Sequence, residues 1–190
     1  MLTCGAQNFA PAFYLHFASY ICYGACVAKR AKPSRRSGCP VSISLEIFGD
    51  RWSLLIIRDL MVRGLRTFKE FQQSGEGIAS NILSNRLERL EAMGIIATEA
   101  DESDGRKVIY RLTEKGMDLG PIMLELLIWG ARHEPTGASC AVIDSLEKNR
   151  EQVLAEAKRR WRERDRTPLL PKFQDPAEPS RLHAAKRENA

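Results

Sequence analysis

The stretch Ile78–Gly94, IASNILSNRLERLEAMG, has the pattern of a helix with two distinct faces. Leu83, Leu87 and Leu90 recur at helical spacing and predict an apolar side. The opposite side carries amides and hydroxyls, and Ser80 is expected to cap the helix at its start. Small polar side chains let a helix approach a DNA major groove, where Asn and Arg can pair with base edges. Taken alone, the stretch fits the surface helix of any globular domain more simply, so its neighbours must decide.

Three helices are predicted before this stretch. Pro40 suits the first position of a helix, because its missing N–H would be unpaired there anyway. Asp50 can cap a second helix, over 51–62. The segment Thr67-Phe68-Lys69-Glu70 is a capping box, in which hydroxyl and carboxylate satisfy each other's backbone donors, and predicts a short third helix to about Gln73.

A β-hairpin and a long helix are predicted after it. The polar turn 101–105 separates Ile95–Ala97 from the alternating, β-branched stretch Lys107–Leu112, as in a hairpin. Thr113 then caps a helix that we expect to run to about His133. A helix-turn-helix followed by a hairpin is a winged helix. The predicted fold is therefore mainly α with a small β-hairpin wing, a winged helix-turn-helix.

The long helix carries more apolar surface than the small domain before it could cover. Its apolar residues alternate at spacings of three and four, as in a coiled-coil seam. A second copy of the chain is the natural cover, and the alternative is that the seam packs only on its own domain. We predict a homodimer that forms through this seam, which consists of Leu119, Ile122, Met123, Leu126 and Trp129.

Charge and composition narrow the function further. The 190-residue chain has a formal net charge of +5, but residues 40–133 hold 12 Lys and Arg side chains against 14 acidic ones. A few placed cations, and not a bulk positive field, must then serve any DNA contact. The five cysteines form neither a disulfide framework nor a zinc pattern. No catalytic constellation or phosphate-binding glycine loop is recognisable, so we predict no enzyme, no cofactor and no metal.

Four regions follow from these patterns. Residues 1–38 are interpreted as a disordered leader, although Phe9–Ala28 is apolar and roughly long enough to span a bilayer. It contains Pro11 and His16 and lacks a basic segment before it, so we expect no membrane partner and a cytoplasmic protein. Residues 39–133 form the winged-helix domain, 134–166 an additional helix with a basic, solvated end, and 167–190 a proline-containing disordered tail.

The motifs also resemble those of HxlR-type transcriptional regulators, within the MarR-like superfamily. The resemblance covers about residues 39–133, and the blocks around GDRW and ILSNRL are its most specific parts. The matching motifs are Cys39-Pro40, Gly49-Asp50-Arg51-Trp52, Arg66-Thr67-Phe68-Lys69-Glu70-Phe71, Asn81-Ile82-Leu83-Ser84-Asn85-Arg86-Leu87, and Tyr110-Arg111-Leu112-Thr113-Glu114-Lys115-Gly116.

The resemblance implies a homodimeric DNA-binding regulator of the bacterial cytoplasm, with double-stranded operator DNA as its partner. It also implies dimerisation helices at the N-terminal and C-terminal ends of the domain. The helix 80–93 would enter the major groove and the wing 101–107 would lie beside it. The implied DNA-binding residues are Thr67, Lys69, Ser80, Asn81, Ser84, Asn85, Arg86, Arg89, Arg106 and Lys107. Arg86 projects nearer the apolar side of the helix, so pairing with an acid is the alternative for it. The acids of the wing would repel phosphate.

Cys39 occupies the place of a cysteine that senses oxidants or electrophiles in some members of the family. Its position near a helix N-terminus, close in sequence to Arg35 and Arg36, favours a reactive thiolate. The alternative is a small residue packed at the dimer interface. A different alternative for the whole chain is a winged helix used for protein–protein interaction without DNA, which the slightly acidic domain permits.

Overall fold

The computed structural model describes residues 37–101, 104–171 and 173. This part of the chain is mainly helical with one antiparallel hairpin, as the sequence predicts. None of its helices combines the length and the hydropathy that a bilayer span requires. The elements are α1 (Pro40–Phe48), α2 (Arg51–Arg58), α3 (Phe68–Gln72), α4 (Ser80–Ala92), β1 (Ile96–Ala100), β2 (Val108–Leu112), α5 (Glu114–Met117), α6 (Gly120–His133), α7 (Cys140–Lys148) and α8 (Arg150–Arg162).

Side-chain hydrogen bonds cap the starts of α2, α3, α5 and α7. The carboxylate of Asp50 accepts from the backbone N–H of Ser53 at the start of α2, and the Thr67–Glu70 capping box is present at α3. The prediction that Ser80 caps α4 is wrong, because Ala79 holds the cap position and Ser80 is already the first helical residue. A wide π-helical turn, Asp59–Arg63, continues α2 to Gly64.

The apolar side of α4 forms the centre of the main core. Leu83 and Leu90 are fully buried and Leu87 nearly so, in one cluster with Ile57 of α2 and Phe71 of α3. Burying a leucine or isoleucine side chain contributes about 1.5–3 kcal/mol each. This packing fixes which way α4 faces, so that its polar side is turned to solvent.

The hairpin lies beside this core. Ile96 pairs with Leu112 and Ala100 with Val108, so both strands keep one register throughout. The backbone N–H of Tyr110 also donates to the carbonyl of Arg66 at 2.8 Å. The loop before α3 is thereby hydrogen-bonded to β2, which links the wing directly to the helix-turn-helix.

The expected long helix after Thr113 is two helices. Thr113 caps α5 as predicted, by accepting from the N–H of Gly116, but α5 ends at Met117 and α6 begins at Gly120. Pro121 explains the break, because its ring would clash with the carbonyl four residues earlier in a continuous helix. The proline therefore starts α6 instead of bending a longer helix.

The region after α6 also differs from the prediction. Residues 140–162 form two helices, α7 and α8, that meet at Asn149. Ile143 and Leu146 of α7 bury Leu124 and Ile128 of α6 in a second cluster.

The chain after α8 packs on the winged helix. The prediction that the chain is disordered from Thr167 onward is wrong for the described part of this tail. Leu169 packs on the main core and donates its backbone N–H to the Val62 carbonyl at 2.7 Å. The predicted leader, up to residue 36, and positions 172 and 174–190 of the tail lie outside the described residues.

Candidate nucleic-acid interface

The outward side of α4 is polar and exposed. Ser80, Asn81, Ser84 and Asn85 are all exposed while the leucines of the same helix are buried. The carbonyl oxygen of the Asn81 side chain accepts from the backbone N–H of Ile82 at 2.9 Å. The side-chain NH₂ group is a separate donor, suited to the O6 and N7 acceptors that purines show in the major groove. The four predicted base-reading residues thus share one solvent-facing surface.

The two arginines of α4 are held within the protein. The Nε of Arg86 donates to Oδ1 of Asp50 at 2.7 Å, and its Nη1 donates to Oδ1 of Asn85 at 2.6 Å. Arg89 donates to the backbone carbonyl of Glu46 in α1. Both arginines therefore make intramolecular contacts, and the acid partner that was the alternative for Arg86 is present. Their contacts with DNA stay predictions. Both arginines fasten α4 to the N-terminal helices.

The carboxylate of Asp50 is the centre of the first of these contacts. Burial alone would raise its pKa, but hydrogen bonds from Ser53 and Arg86 outweigh burial and hold the pKa below its ordinary value. The Ser53 hydroxyl donates to Oδ2 at 2.5 Å and is fully buried. One acidic side chain thus caps α2 and anchors α4.

The start of α3 presents two of the predicted DNA-binding residues, Thr67 and Lys69. The hydroxyl of Thr67 accepts from the N–H of Glu70 at 3.3 Å, while Oε2 of Glu70 accepts from the N–H of Thr67 at 2.8 Å and from that of Arg66 at 2.6 Å. Burial would raise the pKa of Glu70, and the two backbone hydrogen bonds outweigh it, so the pKa is lowered. Thr67 still has a hydroxyl proton to donate, and Lys69 is exposed beside it.

The wing tip carries two exposed cations next to an acid. The side chain of Arg106 is 94% exposed and that of Lys107 60%. Asp104 lies 3.4 Å from the guanidinium of Arg106 and 3.6 Å from the ammonium of Lys107, so it partly neutralises both. Contacts this exposed are weak and leave the cations free to exchange partners.

A buried ionic cluster that was not predicted from the sequence supports the helix-turn-helix. Asp59 is almost fully buried and pairs with Arg58 at 2.7 Å and with Arg63 at 3.3 Å. Arg58 also reaches Glu76, in the turn before α4, at 2.8 Å. Burial raises the pKa of Asp59 against the opposing effect of the two arginines. The spacing of four between Asp59 and Arg63 could have predicted that ion pair from the sequence. The pair between Arg58 and Glu76 depends on the tertiary structure.

The predicted dimer seam divides in the structure. Leu119 is buried in the main core and Met123 packs against it, so these two belong to the chain's own interior. Ile122, Leu126 and Trp129 are exposed by 44%, 47% and 59% and line a shallow groove on α6. Two apolar residues of α1 are also exposed, Val41 by 66% and Leu45 by 59%.

The candidate sensor sits at the start of α1. Cys39 occupies the position before Pro40, its thiol is free, and the residue is exposed. Its backbone N–H donates to the hydroxyl of Ser37 at 3.0 Å. Arg35 and Arg36, which the sequence places nearby, lie outside the described residues.

Comparison with known proteins agrees with this architecture. A family model described as HxlR-like helix-turn-helix matches residues 47–137. The regulator YybR of Bacillus subtilis, named an HTH-type transcriptional regulator, is 36% identical over 95 residues, which are 50% of this chain and 75% of YybR. The regulator YodB of the same organism is 35% identical over 104 residues, 54% of this chain and 92% of YodB.

Solved structures include that of PA1607, described as a putative transcription factor. It is 40% identical, with a TM-score of 0.49, over 52% of this chain and 68% of that one. Residues 47–137, which match the family model, include the polar face of α4 and the hairpin. The chain belongs to the HxlR-like helix-turn-helix family and is a DNA-binding transcriptional regulator.

Proposed function

We propose that the protein binds operator DNA as a homodimer, with α4 of each copy in a major groove. The observation that carries the proposal is the exposed polar face of Ser80, Asn81, Ser84 and Asn85 on a helix whose leucines are buried. Helix-turn-helix proteins place such a helix against base edges while the preceding helix contacts the backbone. A cytoplasmic site of action in a bacterium is part of the same proposal.

A small set of cations supplies the phosphate contacts. Lys69 on α3 and Arg106 and Lys107 on the wing are exposed cations on the elements that flank α4 in the chain. Since Arg86 and Arg89 are engaged inside the protein, the salt dependence of binding should be modest. Each phosphate neutralised contributes about 0.9 to the slope of log K against log salt concentration.

The reading face can be tested with two asparagine variants. Asn81→Ala and Asn85→Ala are each expected to weaken binding by about 1–3 kcal/mol, roughly 5- to 150-fold, if the amides pair with bases. The probe is a duplex selected from a random pool by the wild-type protein, and the readout is fluorescence anisotropy. Gln152→Ala, which truncates an exposed amide on α8, is the matched control and should bind like the wild type.

Two results would count against this assignment. Wild-type affinity for both alanine variants would show that another surface reads the bases. No enrichment of any sequence, together with no salt-dependent binding, would favour the alternative of a winged helix that binds protein and not DNA.

The dimer is proposed to form through the exposed apolar residues of α6 and α1. Ile122, Leu126 and Trp129 make a helical stripe that is about half exposed, whereas Leu124 and Ile128 on the other side of α6 are buried against α7. Patches of this kind on a soluble domain mark association surfaces. Sedimentation should give twice the 21.4 kDa chain mass, and Leu126→Glu should give the monomer, whereas a wild-type monomer would refute the proposal.

Cys39 is proposed as a responsive thiol of this dimer. It is exposed and lies two residues before Val41 on the same helix end, so modification there would add bulk next to the α1 apolar surface. Labelling with a thiol-reactive electrophile should lower DNA affinity in the wild type and leave Cys39→Ser unaffected. Equal loss of affinity in both proteins would assign the response to another cysteine.

A further inference from the structure

The segment Trp161–Leu170 crosses from the wing to the helix-turn-helix. It begins in the last turn of α8 and lies beyond residues 47–137, the part that matches the family model. Along its length it contacts β2, β1, the N-terminal end of α3 and the turn after α2. We call residues 161–170 the C-terminal arm.

The arm is fixed to β2 by a reciprocal pair of hydrogen bonds. The indole N–H of Trp161 donates to the carbonyl of Leu112 at 2.7 Å, and the guanidinium of Arg111 donates to the carbonyl of Trp161 at 2.6 Å. The ring of Trp161 also packs against the main core. Because Arg111 and Leu112 belong to the same strand, these bonds orient the end of α8 relative to the hairpin.

Three residues further on, the arm reaches β1. The guanidinium of Arg164 lies 2.9 Å from Oε2 of Glu99, and Arg111 lies 3.6 Å from Oε1 of the same carboxylate. Glu99 is therefore shared between the second wing strand and the arm. Arg164 has a φ of 58°, in the left-handed region that non-glycine residues rarely adopt. Such a conformation persists only where the surrounding contacts determine it.

The far end of the arm holds the helix-turn-helix. Arg166 pairs with Oε1 of Glu70, the carboxylate whose other oxygen completes the capping box of α3. The Leu169 backbone N–H donates to the Val62 carbonyl at 2.7 Å. The arm is thus bonded at one end to the wing and at the other to the elements that position α4.

We propose that the C-terminal arm is a brace that sets the position of the wing relative to α4. Arg164 and Glu99 are then positioning residues for DNA binding. Only the expected effect on DNA affinity rests on the proposed function; the contacts that form the brace do not. A two-stranded hairpin is marginally stable by itself, so its orientation depends on what it packs against. Here the arm supplies ionic and backbone contacts to both strands and to α3 at once.

Charge and positioning make opposite predictions for Glu99→Gln. Removing a negative charge beside the wing should strengthen phosphate binding if only the local field matters. Loss of the brace should instead weaken binding, since the wing cations no longer meet their phosphates. Losing the equivalent of one or two phosphate contacts corresponds to a loss of roughly threefold to tenfold in affinity.

Arg164→Gln tests the other side of the same contact, with Arg162→Gln as its control. Both variants remove one positive charge, at positions two residues apart in the arm. Arg162 is exposed, and among the described residues it has no hydrogen bond or ion pair to the wing. Affinity is measured by anisotropy on the selected duplex. Hydrogen exchange of the amides in residues 96–112 is measured on the protein without DNA.

The brace predicts a specific pattern. Glu99→Gln and Arg164→Gln should each weaken binding by roughly threefold to tenfold and accelerate wing exchange, with exchange in α4 unchanged, while Arg162→Gln leaves wing exchange as in the wild type. Tighter binding by Glu99→Gln, or wing exchange equal in all variants, would overturn the proposal. A wild-type protein that binds no DNA would defeat the proposed function, and the exchange data would still decide whether the brace exists.

Discussion

Arg86→Met is expected to destabilise the fold while leaving the phosphate contacts of the protein intact. The substitution keeps an unbranched, apolar stem and removes the guanidinium that donates to Asp50 at 2.7 Å. Asp50 retains its hydrogen bonds from Ser53, so α2 keeps its cap. What is lost is the tie between the start of α2 and the middle of α4.

The size of the effect follows from the exposure of the pair. A hydrogen bond to a charged group contributes about 1.5–3 kcal/mol when it is shielded from water. The Arg86 and Asp50 side chains are 23% and 29% exposed, so solvent screens part of the attraction. We therefore expect the lower end, about 1.5 kcal/mol, which for a chain of this length is a fall in Tm of about 3–6 °C.

The assay is urea unfolding at pH 7, followed by tryptophan fluorescence. The protein concentration is held fixed, because the proposed dimerisation would make stability depend on it. A double-mutant cycle with Asp50→Asn isolates the pair. Anisotropy at several salt concentrations then compares the DNA-binding slopes of Arg86→Met and the wild type. Equal slopes are expected if Arg86 touches no phosphate.

The cost of Arg86→Met should also depend on pH. The pKa of folded Asp50 lies below its ordinary value, since hydrogen bonds from Ser53 and Arg86 outweigh burial. A carboxyl group with a lowered pKa stabilises the fold above its unfolded-state pKa, and that contribution is lost as pH falls through the folded-state value. The stability difference between wild type and variant should therefore be largest near neutrality and shrink below about pH 4.

Two results would refute this reasoning. A coupling energy below about 0.5 kcal/mol would mean that the pair is no stronger than an ordinary surface ion pair. A salt slope reduced by about 1 in Arg86→Met would mean that the guanidinium contacts a phosphate in the complex after leaving Asp50.

Two further substitutions test how the helix-turn-helix is held. Gly64→Ala should cost about 2–4 kcal/mol of stability, because its φ is +72° and an added Cβ would lie 2.0 Å from the Arg166 carbonyl oxygen. Gly77→Ala is the control and should cost only about 1 kcal/mol, because its φ is +71° but no heavy atom lies within 4 Å of the added Cβ. Equal losses of stability in thermal unfolding would refute the close contact at Gly64. Asp59→Ala should lower the free energy of unfolding by about 3 kcal/mol, because it leaves two arginines without their buried partner. The control Asp118→Ala removes an exposed acid and should change the free energy of unfolding by no more than about 0.5 kcal/mol. Similar urea midpoints for the two variants would contradict this.

The sequence identified the winged helix because its signals are local. The spacing of Leu83, Leu87 and Leu90, the Thr67–Glu70 capping box and the Thr113 cap each depend on a few neighbouring residues, and all are present in the structure. The exposed polar face of α4 follows from the same periodicity, because burial of one side turns the other to solvent. Patterns of this kind involve residues close together in sequence, so they can be recognised without knowledge of any tertiary contact.

The partners of the charged side chains could be identified only from the tertiary structure. Arg86 was assigned to DNA from its place in a motif, but its partner Asp50 is 36 residues away in sequence. The α6 seam shows the same dependence. Periodicity indicated an apolar surface and could not say that Leu119 would face the chain's own core while Leu126 and Trp129 would face solvent.

The C-terminal arm is the part that only the folded chain could reveal. Its sequence reads as a basic helix end and a polar tail, yet Arg164 and Arg166 find Glu99 and Glu70, 65 and 96 residues away. Long, flexible arginines carry no directional signal in sequence, since their partners depend on how separate elements pack. The sequence by itself therefore determined the helices up to α4, the wing and the polar face of α4. The packing of distant segments decided how the later helices divide, how that face is held and what braces the wing.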